Sequence, residues 1–164
     1  MAGVLLAGVI GHTILFPNLP RGVRSLENNC SRTSIVDRLV RLIQANQKTK
    51  ITAEVGDDLS KIKSRTLARH YREGEREDRL VVEVIDEAAV LLGQSIGSIV
   101  TLLSLPRVVL GGGLTEALGP AFVERVEKVV REVAFPDACK KVDVVESTLE
   151  DTAGVLGAAM IAME

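Results

Sequence analysis

The chain has 164 residues, of which 46% are hydrophobic, 26% charged and only 2% aromatic. That composition gives one domain with an aliphatic core, leaves no room for two full lobes, and excludes a disordered chain. A formal net charge of -2 excludes a global basic field for nucleic acid, and two cysteines, Cys30 and Cys139, without CxxC spacing exclude a disulfide framework and fit a reducing cytoplasm.

Residues 1–10 are apolar but lack a positive flank, and Gly11-His12-Thr13 interrupts them, so they read as neither signal nor membrane span. Residues 14–16 read as the end of a strand closed by Pro17. Residues 17–22, with two prolines, an asparagine and a glycine, read as loop. Ser34, with Asp37 three residues on, predicts a capping-box-like helix start. The helix behind it carries Ile35, Leu39, Leu42 and Ile43 on one face and fades over residues 46–50.

A second helix is predicted over residues 59–73, ended by Gly74. Its basic residues are followed at once by acidic ones, which reads as a solvated face. The longest helix is predicted over residues 78–104, with Val84, Ala88, Leu91, Ser95, Ile99 and Leu102 at helical spacing. Its uncharged stretch from residue 88 to 105 falls short of the roughly 20 apolar residues a span needs and carries Gln94, Ser95, Ser98, Thr101 and Ser104, so it reads as a buried helix. Gly93 and Gly97, four apart, allow a neighbouring backbone to approach closely.

Pro106 stops that helix, residues 107–110 read as a buried strand, and Gly111-Gly112-Gly113 turns the chain. Pro120 suits a first helical position, and Val123, Val126, Val130 and Val133 form the buried stripe behind it. Residues 142–145 predict a second short strand. Residues 153–162 predict a final helix of small residues, capped by Asp151 or Thr152. The whole is α/β alternation, helix-rich with few strands.

Three consecutive glycines after a strand let a ligand touch bare backbone, because no Cβ intervenes. Alone, the triplet reads first as a tight turn. A lone histidine such as His12 is ordinarily structural. The order of four stretches adds to this: Gly11-His12-Thr13, Ser25-Leu26-Glu27, the Leu-x-Pro, strand and glycine triplet ending at Gly113, and Thr152-Ala153-Gly154-Val155-Leu156-Gly157-Ala158-Ala159. Together they resemble the C-terminal half of sugar kinases of the ROK family (repressors, open reading frames, kinases).

The resemblance implies that residues 1–164 form a single incomplete domain, the C-terminal lobe of the actin-like, ribonuclease H-like ATPase fold. It implies that His12 and Glu27 contact hydroxyls of a hexose, and that Gly111, Gly112 and Gly113 contact adenosine. It implies ATP and Mg²⁺ as the family's cofactors. The chemistry fits, since a carboxylate accepts two sugar hydroxyls in a fork and a neutral imidazole accepts on one side and donates on the other. The last helix of the family closes against other elements, which its alanines and glycines permit.

Three departures bound the expectation. The family's glutamate three residues before the histidine is Val9 here, which cannot accept a hydroxyl. The family's zinc loop would place thiolates at Asn18, Pro20 and Ser25, so His12 has no thiolate companion and no zinc is predicted. The phosphate loops and catalytic aspartate lie upstream of the Gly-His motif in the family, and the eleven residues before His12 contain no Asp, Glu or Lys.

The expectation is therefore the sugar- and adenosine-binding lobe of a glucokinase-like, ATP-dependent hexose kinase that does not transfer phosphate by itself. Its gene product is truncated or its start lies further upstream, and the exposed surfaces left by a missing lobe make dimers or higher oligomers. The second reading is a non-enzymatic sugar-sensing or interaction module related to ROK transcriptional repressors; the third is a remnant that folds without specific function. No nucleic-acid or membrane partner is predicted.

Overall fold

The computed structural model describes residues 9–71, 77–149 and 152–163. The chain enters through a 3-10 turn, Ile10–His12, closed by Thr13, whose hydroxyl and amide both donate to the Ile10 carbonyl (2.7 and 2.9 Å). The predicted strand at 14–16 is reduced to one antiparallel bridge, Ile14 to Ser25, flanked by the Leu15 and Phe16 amides on the Arg24 carbonyl. The loop between them contains a further 3-10 turn, Arg21–Val23.

Two capped helices follow where one was predicted. Helix α1 is Leu26–Cys30, with Ser25 and Asn28 forming a reciprocal capping box, and α2 is Arg32–Gln44, capped by Ser31. Ser34 is not the cap. It sits in the first turn of α2, where its amide donates to Ser31 Oγ (3.2 Å) and its hydroxyl to the Glu27 carbonyl (3.1 Å), while Asp37 stays exposed. Ile35 and Leu39 are fully buried, and Leu42 and Ile43 pack partly against the same core. Asn46, in the left-handed region, ends α2 with its amide on the Ile43 carbonyl and that of Gln47 on the Leu42 carbonyl.

Helix α3 (Ile51–Val55) stands where the sequence suggests only fading helix. Its two apolar ends are both buried, so tertiary packing holds a single turn that propensity would not. The helix predicted over 59–73 is split into a 3-10 turn, Leu59–Lys61, and α4 (Ser64–His70), because Ile62 turns inward on extended backbone. The predicted stop at Gly74 lies outside the described residues.

Helix α5 (Arg79–Leu103) agrees with its prediction within one residue at each end. Asp78 caps it, accepting from the Leu80 and Val81 amides (2.8 and 3.3 Å), and its other oxygen takes the Thr49 hydroxyl (2.6 Å) and the Lys50 amide. The buried line runs through Val84, Ala88, Ala89, Gly93, Ile96, Gly97 and Val100, and Leu102 is exposed. The line bends away from the large residues because the close contact is made at the glycines. A Cβ on Gly93 would lie 2.7 Å from Val129 Cβ, and one on Gly97 2.9 Å from Val133 Cβ.

Strand β1 (Arg107–Leu110) leads through the glycine triplet into a short unpredicted helix, α6 (Gly113–Leu118). Pro120 opens α7 (Pro120–Val133) as predicted, and Phe122, Val123, Val126, Val129 and Val130 bury its inner face while Val133 is part-exposed at its end. Strand β2 (Asp143–Glu146) pairs in parallel with β1, Arg107 opposite Asp143 and Leu110 opposite Glu146. Helix α8 (Ala153–Ala162) has the predicted bounds, with Thr152 at its start making no side-chain cap bond. The core lies where α2, α5 and α7 meet, with α3, α4 and the inner sheet face closing it.

Candidate functional site

The bridge between Ile14 and Ser25 fixes the first candidate site. It returns the chain so that the Leu26 amide donates to the Thr13 carbonyl (3.0 Å), which sets the first turn of α1 against the Ile10–His12 turn. Glu27 then lies on the backbone of Gly11: a Cβ there would stand 2.9 Å from Glu27 Oε2. A side chain at this position would displace the carboxylate from where it lies. His12 is the next residue on the same turn, and both His12 and Glu27 are solvent-exposed. Ile10, Gly11, Leu26, Glu27, Cys30, Ser31 and Leu92 line a cavity of about 240 Å³ beside them.

Cys30 lines that cavity as a part-buried free thiol. Burial, with the Glu27 charge adding to it, pushes its thiol up to about 12, and its Sγ donates to the Ala88 carbonyl (3.4 Å). A protonated thiol is neither nucleophile nor metal ligand at neutral pH. Among the described residues no cluster of three His, Cys, Asp or Glu side chains could hold a metal ion.

The last residue of the glycine triplet, Gly113, lines a second cleft. All three glycines are exposed, and Gly112 has φ +98°, a conformation that a side chain would strain. The Ser147 amide donates to the Leu110 carbonyl (2.7 Å), so the end of β2 holds the start of the turn. Helix α6 leaves the turn at Gly113 and packs on α4. Ser64, Arg65, Ala68, Gly113, Glu116 and Ala117 enclose about 480 Å³ between them, within the range of small-molecule sites. Neither the Arg65 nor the Glu116 side chain has a hydrogen-bond or ion-pair partner among the described residues. Sequence reasoning missed this wall, because α4 and α6 are remote in the chain and α6 carries no start signal beyond the glycines.

A roomier groove, about 610 Å³, runs between α2, α5 and α7, but its charges neutralise one another. Arg38 pairs with Glu87, Arg79 with Glu83, and Asp86 with both Tyr71 (2.8 Å) and Arg125 (3.4 Å). The pairing is incomplete in one place, because Arg125 Nε is buried without a hydrogen-bond partner although Asp86 lies 3.4 Å away.

The sequence profile of the ROK family matches residues 1–164. The chain belongs to the ROK family. A glucokinase of Thermotoga maritima is 25% identical over 158 residues, which are 94% of this chain and 49% of the relative. A solved ROK family transcriptional regulator, described as a homologue of the E. coli MLC protein, superposes with a TM-score of 0.76 at 25% identity over 94% of this chain and 38% of its own. A ROK family glucokinase from Streptomyces griseus, solved with glucose and AMPPNP, gives a TM-score of 0.74 at 18% identity over 93% of this chain and 50% of its own. This ROK chain thus has the fold of actin-like kinases and spans about half the length of the curated relative it matches. No helix among the described residues is long and apolar enough to cross a membrane.

Proposed function

We propose that this chain is the C-terminal, ligand-binding lobe of an ATP-dependent hexose kinase of the glucokinase type. The observation that carries the reading is the carboxylate of Glu27 lying on bare backbone at Gly11, one residue from His12. An exposed carboxylate held in that way accepts two adjacent sugar hydroxyls, and the imidazole adds a third polar contact. Val9, exposed and unable to accept a hydrogen bond, leaves one side of the sugar unread.

The nucleoside of ATP takes the cleft between α4 and α6. Gly113 offers backbone in the cleft, with Gly111 and Gly112 leading into it, Ala68 and Ala117 offer apolar walls, and Glu116 accepts ribose hydroxyls. The Thermotoga and Streptomyces glucokinases support this reading. On this reading residues 1–164 bind substrates, and the phosphate loops and catalytic aspartate on which phosphoryl transfer depends belong to the half of the fold that this chain does not span. The reading places the protein in the cytoplasm with its sugar.

The solved regulator favours a second reading, a sugar-sensing module without phosphotransfer. Calorimetry of the chain with glucose and with AMPPNP separates the two. The kinase-lobe reading requires both to bind, the sensor reading glucose alone, and multiple turnovers of glucose phosphorylation by the pure chain would overturn the view that it lacks activity alone.

A further inference from the structure

In the groove between α2, α5 and α7 the charges balance and the hydrogen-bond donors do not. Arg38 stands with Glu87, Arg79 with Glu83, and Arg125 with Asp86, which leaves no net charge to attract an ion. Yet Arg125 makes no hydrogen bond among the described residues. Asp86, 3.4 Å away, gives one oxygen to the Tyr71 hydroxyl (2.8 Å). A guanidinium carries five N–H donors in a fixed fork, and buried donors in native proteins are normally paired. Nε is closed off, but the Arg125 side chain is 29% exposed and lines the groove, so its outer N–H groups are open to a ligand.

The rest of the groove is apolar and formed in advance. Phe16, Val82, Val90 and Leu91 give it its carbon surface. The Phe16 amide is fixed on the Arg24 carbonyl (3.1 Å), and Asn29 holds the same loop through the Val23 and Ser25 carbonyls (3.0 and 2.8 Å). Arg125 precedes Val126, whose carbonyl would lie 3.0 Å from a Cβ on Gly93, so the seating of α7 on α5 holds this wall in place. A volume of about 610 Å³ is in the range of small-molecule sites, and a trough already held in shape loses little freedom when it fills.

Three kinds of occupant differ in what they bring. A carboxylate finds Arg125 but sets its charge beside Asp86, Glu83 and Glu87. A hydrocarbon covers the apolar floor and leaves the guanidinium unpaired. An uncharged carbonyl brings an acceptor and no charge. We infer that this groove is a binding site for an uncharged amphipathic small molecule, whose apolar ring or branched chain lies on Phe16, Val82, Val90 and Leu91 and whose carbonyl oxygen accepts from the Arg125 guanidinium. The groove shares no lining residue with the cavity beside Glu27 or with the α4–α6 cleft, and the inference rests on neither ligand proposed for them.

The test titrates the chain with N-cyclohexylacetamide, cyclohexylacetate and acetamide, and follows backbone NMR shifts. The expected result is saturable shifts at residues 16, 82, 90, 91 and 125, with N-cyclohexylacetamide binding about tenfold tighter than either of the others. Arg125→Lys keeps the charge and loses the fork, and weakens that binding about tenfold. Val90→Phe fills the trough and removes the saturable shifts, while Asp37→Lys on the exposed side of α2 leaves them unchanged. Thermal melts check that each variant folds, and the ranking of the three probes on the parent chain decides the matter without any variant. Four results overturn the inference: cyclohexylacetate binds as tightly as the amide, Arg125→Lys binds the amide as well as the parent, no probe shifts the groove residues, or those residues shift as the chain alone is concentrated, which assigns the groove to a second copy.

Discussion

Gly11→Ala tests whether the backbone at Gly11 exists to seat a carboxylate. The added methyl would stand 2.9 Å from Glu27 Oε2, against an ordinary contact of 3.4–4 Å, so the carboxylate must retreat by at least half an ångström. The atom displaced is the free end of an exposed side chain, and its swing costs the fold little, within about 0.5 kcal/mol. Ligand binding is another matter. A hydrogen bond to a charged group contributes about 1.5–3 kcal/mol, so losing one of the proposed sugar contacts weakens glucose binding by roughly 10- to 150-fold. Calorimetry with glucose and a thermal melt of the same preparation read the two effects. The reasoning is refuted if Gly11→Ala binds glucose as well as the parent, or if affinity and stability fall together, since the latter makes Gly11 a packing residue. Glu27→Gln is the comparison: it keeps the shape, loses the charge, and should lose affinity without loss of stability.

Glu116→Ala should weaken AMPPNP binding about tenfold or more while leaving glucose binding intact, read by calorimetry with each ligand. Gly93→Ala should destabilise by about 1–2 kcal/mol, the overpacking against Val129 exceeding the helix-propensity gain, and lower the melting temperature by a few degrees; Gly157→Ala, with open space around its Cβ, should not destabilise. Burial opposes ionisation of Asp78, but the Thr49 hydroxyl and the Lys50, Val81 and Leu80 amides together hold its carboxyl below the usual range. Its stabilisation is therefore present above about pH 4 and lost as pH falls through the depressed folded value, so denaturant melts of the parent and Asp78→Asn should converge in acid. Cys30, its thiol pushed up to about 12, should resist iodoacetamide at pH 8 in the native state and react once the chain is unfolded.

The long elements were legible because their ends carry chemistry. Asp78 before α5, Pro106 after it and Pro120 at the head of α7 mark boundaries that the fold keeps, and the glycine pair on α5 announced the contact with α7. The short elements were not. Ser31 both ends α1 and starts α2, and a single extended residue between two helices leaves no trace in apolar periodicity. Helices α3 and α6 are too short for a pattern and exist because their apolar residues find a core. Of the candidate sites, the neighbourhood of Gly11, His12 and Glu27 was legible only through the order of its motifs. The wall of the second cleft was not, because Arg65 and Glu116, about fifty residues apart in sequence, line one cleft only through an α4–α6 packing that neither helix signals.

The seating of α5 on α7 carries a mechanical consequence. Val129 and Val133 are lodged over glycine backbone, so a one-residue slide of either helix would drive a branched side chain into a carbonyl or a neighbouring Cβ. Cys30 of α1 is tied to α5 at Ala88, and the strand that leads to the glycine turn follows directly from the end of that helix. The cavity beside Glu27 and the glycine turn are thus both anchored to one helix, whose seating on α7 resists sliding.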